Sequence, residues 1–477
     1  MKTSSSIIVW FRNDLRVHDH EPLWKAAQKA ANVIPVYCLD PRLFQMTDLG
    51  FPKTGSYRAK FLLESIADLQ SSLQKLGTSL VFKIGKPEEV IPQMAKQYEV
   101  AAVYASKEVT HEEVTTESIL SNMLLKYGVE LDLFWTATLY HPDDLPFPVS
   151  ALPDVFTNFR KAVEKYTAIR PVFPTPTRLT PHQIGSDPMP TLPDLGLEEI
   201  TPDERGVMLF KGGERHGLAR LQEYFWKKNL LKNYKETRNG LVGADYSSKF
   251  SPWLASGSLS PRLIYQEVKA YEKDRVANES TYWLIFELIW RDYFRMVAKK
   301  YGNLLFFSGG IKNQPIRNTG RKQEFLKWIE GNTGIPFIDA NMRELAATGF
   351  MSNRGRQNVA CFLVKDLYVD WRWGASYFES LLLDYDPCSN WGNWNYVAGV
   401  GNDPREDRYF NILSQAKNYD PKGAFVRHWL PELSELPDGL VHTPFYLNST
   451  QQSEFNVRLG VDYPKPMFDI AKWKSAK

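Results

Sequence analysis

The chain has 477 residues, 43% of them hydrophobic and 24% charged, which suits a globular protein long enough for two or more separate cores. Its net charge of +3 is too small to mark a nucleic-acid protein, so any affinity for DNA must come from a local basic surface. Cations gather at Lys227, Lys228, Lys232 and Lys235, at Arg317, Arg321 and Lys322, and at Arg354 and Arg356; a solvated face is the plain reading of the first two groups. Cys38, Cys361 and Cys388 are odd in number and far apart, which predicts reduced thiols and a cytoplasmic setting, or an organellar one if the chain is a processed form. The eight histidines lack ligand spacing, so no metal is expected. No apolar run approaches membrane-spanning length.

In chain order, Ile7 to Phe11, Val33 to Leu39, Ser79 to Ile84, Ala101 to Ala105 and Val129 to Phe134 read as strands. Helices are predicted near 57 to 76, 87 to 98 and 111 to 127. The alternation predicts a doubly wound α/β domain with a parallel sheet over residues 1–141. The turn after the first strand reads Arg-Asn-Asp-Leu-Arg where a Gly-x-Gly-x-x-Gly would cradle a dinucleotide, so that mode of binding is not expected. Residues 142–206 carry Pro171, Pro174, Pro176, Pro181, Pro188, Pro190 and Pro193 with little periodicity and read as a long surface linker. From 207 to 477 the pattern is helical. Trp283, Phe286, Trp290 and Phe294 form one stripe; Phe378, Leu381, Leu382 and Tyr385 form another.

The densest chemistry lies at Ser389-Asn-Trp-Gly-Asn-Trp-Asn-Tyr396, preceded by Trp371, Trp373, Tyr377, Asp384, Tyr385 and Asp386. Such a cluster can pack a planar cofactor, pass electrons between rings, or stack bases. Asp384 and Asp386 are expected at a helix C-terminus, where the macrodipole disfavours anions, so a cation such as Arg354 or Arg356 should answer them. Glu287, Trp290 and Arg291 fall at i, i+3 and i+4 of one helix. A carboxyl beside an aromatic stripe holds its proton above the usual range; a plain ion pair with Arg291 is the alternative. Tyr246-Ser-Ser-Lys-Phe-Ser251 precedes Pro252 and a helix, and either caps it or cradles a phosphate.

Taken in order, Val9-Trp-Phe-Arg-Asn-Asp-Leu-Arg-Val-His-Asp-His20, Tyr246 to Leu254, Phe286-Glu-Leu-Ile-Trp-Arg-Asp-Tyr293, Asn353-Arg-Gly-Arg-Gln-Asn358 and the Trp-rich run from Asp384 resemble the photolyase/cryptochrome family, from about residue 7 to 430. Phe156 to Lys161 and Lys417 to Leu430 look like its DASH-type members.

The resemblance implies an N-terminal α/β domain and an all-helical domain holding FAD. It assigns Ser247, Ser248, Lys249, Phe250 and Ser251 to the FAD phosphates, with Tyr234 in the same segment. Arg356 and Asp384 would pair against the flavin ring, with Asp386 nearby. Asn390 would face flavin N5, where an amide suits a reduced ring and plant signalling cryptochromes carry an acid. The implied activity is light-driven repair: excited reduced flavin passes an electron to a cyclobutane pyrimidine dimer flipped out of DNA, the ring splits, and the electron returns.

Glu287 would contact the damaged bases and Trp290 would stack on them, with Arg291 beside them. Asn353 and Arg354 would lie at the DNA surface. Gln357 and Tyr396 stand where the double-strand enzymes have Met and Trp, which makes the pocket more polar and points to single-stranded or looped damaged DNA. Trp394 and Trp371 match the proximal and middle members of the family's electron chain, but the distal position is Asn318. Trp373 or a tyrosine is then the alternative terminus. Glu108 matches an acid that contacts the antenna 5,10-methenyltetrahydrofolate; a surface Glu opening a helix is the alternative. Two rival functions remain: a blue-light receptor acting through a protein or transcriptional partner, and a light-independent flavin oxidoreductase, for which no nicotinamide site is visible. The short stretch after the last motif argues against a signalling tail.

Overall fold

In the computed structural model, residues 3–316, 320–405, 408–470 and 473 are described. Five strands, β1 (Thr3–Phe11), β2 (Ala30–Leu39), β3 (Val81–Ile84), β4 (Val100–Ser106) and β5 (Glu130–Phe134), alternate with helices α1 (Glu21–Lys29), α2 (Ser56–Lys75), α3 (Pro87–Gln97) and α4 (His111–Leu125). All four strand pairings are parallel, in the order β3-β2-β1-β4-β5. Successive side chains of β1 face opposite sides of the sheet. Ile7, Val9 and Phe11 join Leu23, Leu69 and Leu73 of α1 and α2, while Ile8 and Trp10 join Ile91, Met94 and Leu120 of α3 and α4. Burial on both faces explains the continuous apolar strands. Helix α1 was absent from the sequence-based elements; His20 caps it, accepting from Leu23 N at 3.1 Å.

The proline-rich stretch is more ordered than its composition suggests. It holds α5 (Phe156–Tyr166), whose Phe156 and Phe159 are buried, and its Leu179 enters the core beside the sheet. Most other residues of 142–206 are exposed or half-buried and lack regular structure, so the stretch crosses the surface with a few apolar anchors.

The rest is helical: α6 (Glu214–Gln222), α7 (Tyr234–Thr237), α8 (Ser251–Ala255), α9 (Pro261–Asp274), α10 (Glu279–Tyr301), α11 (Lys322–Ile329), α12 (Pro336–Thr348), α13 (Asn353–Cys361), α14 (Trp371–Leu381), α15 (Pro387–Ala398), α16 (Ile412–Tyr419), α17 (Ala424–Trp429) and α18 (Ser449–Glu454). One aromatic-rich core runs through them. Helix α14 ends at Leu381, earlier than the stripe to Tyr385 implied, because Leu382 is extended.

Two devices join the halves. The turn after β1 is an interdomain lock: Leu15 N donates to Ser256 O at 3.2 Å and buried Arg16 to Gly257 O at 2.8 Å. Gly257 sits at φ 68°, and a Cβ there would lie 1.9 Å from Asn13 O, so only glycine permits the contact. The second device is α10. Asp292 accepts from Leu139 N and Tyr140 N at 3.0 and 2.8 Å, and Arg295 pairs with Glu108. No described helix is long and apolar enough to cross a membrane, and no described group of side chains could hold a metal.

Candidate functional site

A cavity of about 460 Å³ opens in the helical half, within the range of small-molecule sites. Tyr234, Ser247, Ser248, Lys249, Phe250 and Ser251 line one part; Arg356, Asp384 and Asp386 another; Glu287, Trp290, Arg291, Asn353, Gln357 and Tyr396 a third. Residues more than 160 positions apart in sequence thus share one wall.

The 247–251 loop is held from behind by buried Arg220, which donates to the carbonyls of Ala244, Ser247 and Ser248 at 2.9, 3.2 and 3.1 Å. With those acceptors satisfied, the loop's hydroxyls and Lys249 are left to line the cavity. Lys249 adopts φ 61°, unusual for a residue with a side chain, and burial pushes its pKa well down. Beside it Tyr246 keeps a buried hydroxyl without a partner among the described residues.

Arg356 Nη2 donates to Asp384 Oδ2 at 2.8 Å, and its Nε to Met351 O at 2.9 Å. Asp384 Oδ1 is buried and has no partner among the described residues, so a ligand donor is needed to satisfy it. Neither acid sits at a helix C-terminus as the sequence suggested. Asp384 lies in the turn after α14, and Asp386 is the N-cap of α15, accepting from Ser389 N at 2.7 Å, where the dipole favours an anion.

Glu287 pairs with Arg238, at 2.6 Å, and not with Arg291. Burial raises the Glu287 pKa, and Arg238 pulls part of it back. The Arg291 guanidinium donates to Ala137 O and to Leu254 O, the latter at 3.1 Å, so it braces the fold although it lines the cavity. Trp290 is backed by Phe156, rings stacked 3.6 Å apart, and meets Tyr396 edge-on at 6.2 Å. Gln357 accepts from Arg354 at 2.9 Å, and Arg408 donates to the Tyr396 hydroxyl at 3.2 Å. Arg354 also lies over Tyr419, and burial lowers its pKa. Neither Arg354 nor Asn390 is among the lining residues. Asn390 Nδ2 donates to Ala375 O at 3.0 Å.

Trp394 and Trp371 are buried behind this wall. Trp394 packs edge-on to Phe378 at 5.1 Å, in space that a Cβ on Gly374 would take. Trp371 donates to Ser308 O at 3.0 Å. Asn318 and Arg317 lie outside the described residues.

A second cavity, of about 530 Å³, lies on the seam between the halves, at the carboxyl ends of β1 and β2. Arg12, Asp40, Arg42, Arg58, His111 and Tyr385 are among its lining residues. This is beside the point where strand order reverses, the usual ligand crevice of such sheets. Glu108 is not on its wall. It is 4% exposed and bound to Arg295, which overturns the surface alternative.

The comparisons decide the family. An FAD binding domain of DNA photolyase matches residues 283–477, and a DNA photolyase domain matches 7–178. Cryptochrome DASH of Gloeobacter violaceus is 56% identical over 98% of this chain and 94% of its own length. The chain is a DASH-type cryptochrome of the photolyase/cryptochrome family. Cryptochrome DASH of Xenopus laevis is 50% identical over 98% of this chain and 91% of its own. Among solved structures, the Synechocystis cryptochrome superposes with TM-score 0.95 at 54% identity, covering 100% of this chain and 99% of that one. A class III photolyase from Agrobacterium tumefaciens gives 0.87 at 29% identity, covering 99% and 96%.

FAD therefore belongs to this DASH-type chain, and the helical cavity fits it. The orphaned Asp384 oxygen and Tyr246 hydroxyl, the Lys249 amine and the serine loop form a donor and acceptor set suited to a flavin and a pyrophosphate. Three arginines that no motif singled out, Arg220, Arg238 and Arg295, complete the site. Each meets a partner far off in sequence, so no local spacing reveals it.

Proposed function

We propose that this protein uses blue light to split cyclobutane pyrimidine dimers in single-stranded or looped DNA, with 5,10-methenyltetrahydrofolate as antenna. When bound, reduced FAD supplies the light-driven electron. The observation that carries the reading is that one cavity wall joins the Arg356–Asp384 pair to the Glu287–Arg238 pair and Trp290.

On this reading each side chain has a role. Arg356 neutralises Asp384 and leaves one carboxylate oxygen to accept from the flavin ring. Asn390, near the Trp-rich helix start, serves a protonated N5. Trp290, rigid against Phe156, gives a flipped base a stacking face. Glu287, kept protonated more readily by burial, donates a hydrogen bond to a base carbonyl. Arg238, displaced from Glu287 by the base, becomes available to a phosphate. Trp394 and Trp371 carry electrons inward.

The strand preference follows from the wall. Gln357 and Tyr396 are both engaged by arginines, so they return little stacking energy against the few kcal/mol, roughly, that flipping from a duplex demands. The antenna is placed in the seam cavity, where Arg42 and Arg58 suit the carboxylates of a folate. Three cysteines outside any disulfide suit an intracellular setting. The test is repair of matched single- and double-stranded dimer substrates under blue light. Preferential single-strand repair is expected; no repair of either would leave the photoreceptor role.

A further inference from the structure

Trp371 is fully buried and Trp394 is 2% exposed, so neither can exchange an electron with a reductant in solvent. Trp391 stands beside Trp371. Its ring meets Trp371 edge-on at 5.7 Å, and it stands three residues before Trp394 on α15, the spacing of neighbours on one helix face. Its indole N–H donates to the Tyr385 hydroxyl at 3.3 Å. That tyrosine lines the seam cavity, with Arg58 over its ring at 4.3 Å. Glu379, a carboxyl on α14, lies near enough for its charge to act on the same phenol. Trp391 thus donates to Tyr385, which leaves the phenol proton free to face an acceptor.

We propose that Tyr385 is the terminal electron donor of this protein, oxidised through Trp391 with its proton passing to Glu379, and that the seam cavity is the port where a small thiol restores it. The proposal rests on the flavin reading of the helical cavity. The balance is simple. One electron leaves the Tyr385 phenol for the hole on Trp391, and thence reaches the light-excited oxidised flavin, the oxidant. The O–H bond breaks, its proton forms an O–H bond on the Glu379 carboxylate, and a neutral tyrosyl radical remains. A thiol entering the cavity then gives a hydrogen atom and leaves as a thiyl radical, while Glu379 releases its proton to solvent.

Three physical points favour this terminus. A buried indole cation is costly to hold without a partner, whereas a phenol beside a carboxylate discharges by losing its proton. The cation of Arg58 over the ring opposes a positive charge on Tyr385, so proton loss must accompany oxidation. Burial also raises the Glu379 pKa, which makes its carboxylate a better proton acceptor. Trp373, the other candidate, packs its ring against Phe325 at 5.5 Å, away from the seam cavity.

The test illuminates the full-length flavin-loaded protein with dithiothreitol, following flavin reduction by absorption and radicals by paramagnetic resonance. Wild type should show a tyrosyl signal whose formation slows in heavy water. Tyr385→Phe and Trp391→Phe should both lose that signal, and Glu379→Gln should lose the isotope effect; flavin content of each variant checks the fold. A tyrosyl signal surviving in both Tyr385→Phe and Trp391→Phe, or its absence in wild type, overturns the proposal. So does dependence of reduction on Trp373 with indifference to Tyr385. Failure of the underlying reading looks different: flavin absent from wild type, or no flavin reduction under light at all.

Discussion

Arg238 holds the carboxylate of Glu287 at 2.6 Å inside the cavity that Arg356 and Asp384 flank from the other side. A damaged base that takes Glu287 must displace Arg238. Replacing Glu287 with Gln keeps the shape and removes the acid. Repair yield should fall about tenfold while dimer affinity changes less, because a hydrogen bond to a charged group is worth roughly 1.5–3 kcal/mol and its full strength is reached on the charged dimer. Repair yield per photon, measured beside binding, checks this.

Charge reversal of Arg356 to Glu should release the flavin. Asp384 is nearly buried and would face a like charge, a loss of about 3–5 kcal/mol for a buried pair broken from one side. The flavin-to-protein ratio after purification should drop sharply, and full occupancy would count against the pair as a flavin anchor.

Asn390→Asp should shift the light-reduced state away from full reduction, because a carboxylate repels a negative ring. It also loses the donor to Ala375 O, worth about 1 kcal/mol of stability. Absorption spectra under identical illumination, with a denaturation curve, separate the two effects.

Asp292 gives a pH signature. Burial raises its pKa from 3.8 to about 7, so the folded state binds a proton that the unfolded chain releases. Stability is therefore greatest below the unfolded value and falls as pH rises through this window, by up to about 1.4 kcal/mol per pH unit from this group. Glu344, raised to about 8, acts in the same direction. Denaturant midpoints at pH 5 and pH 7 should show the fall, and Asp292→Asn should flatten it.

Binding of single-stranded substrate should weaken with salt in proportion to the phosphates contacted, and Arg238→Ala should reduce that slope by about one. An unchanged slope would remove Arg238 from the phosphate contacts.

Much of this was legible in the chain. Continuous apolar strands gave the parallel sheet, and the five motifs in order gave the residues that line the cavity. Parallel pairing of β1 and β2 itself demands a crossover, so α1 was implied even though it is only nine residues long. The acids at 384 and 386 were misplaced because the apolar stripe runs on past Leu381, while the backbone turns extended at Leu382. The burial of Glu108 was not legible because a local reading cannot see Arg295, which arrives from 187 residues away. Arg238 was missed for the same reason. Ion pairs of that kind belong to the tertiary fold and leave no spacing behind.

At the Gly257 junction, main chain lies directly on main chain, because a Cβ there would run into the backbone of Asn13 and Asp14. At this point the spacing of the two halves is ruled by covalent backbone dimensions, without the rotamer freedom that long side chains would allow. Transfer of excitation or charge between two bound molecules falls steeply with distance. On the proposed reading this glycine helps hold that distance, and any side chain there would push the halves apart.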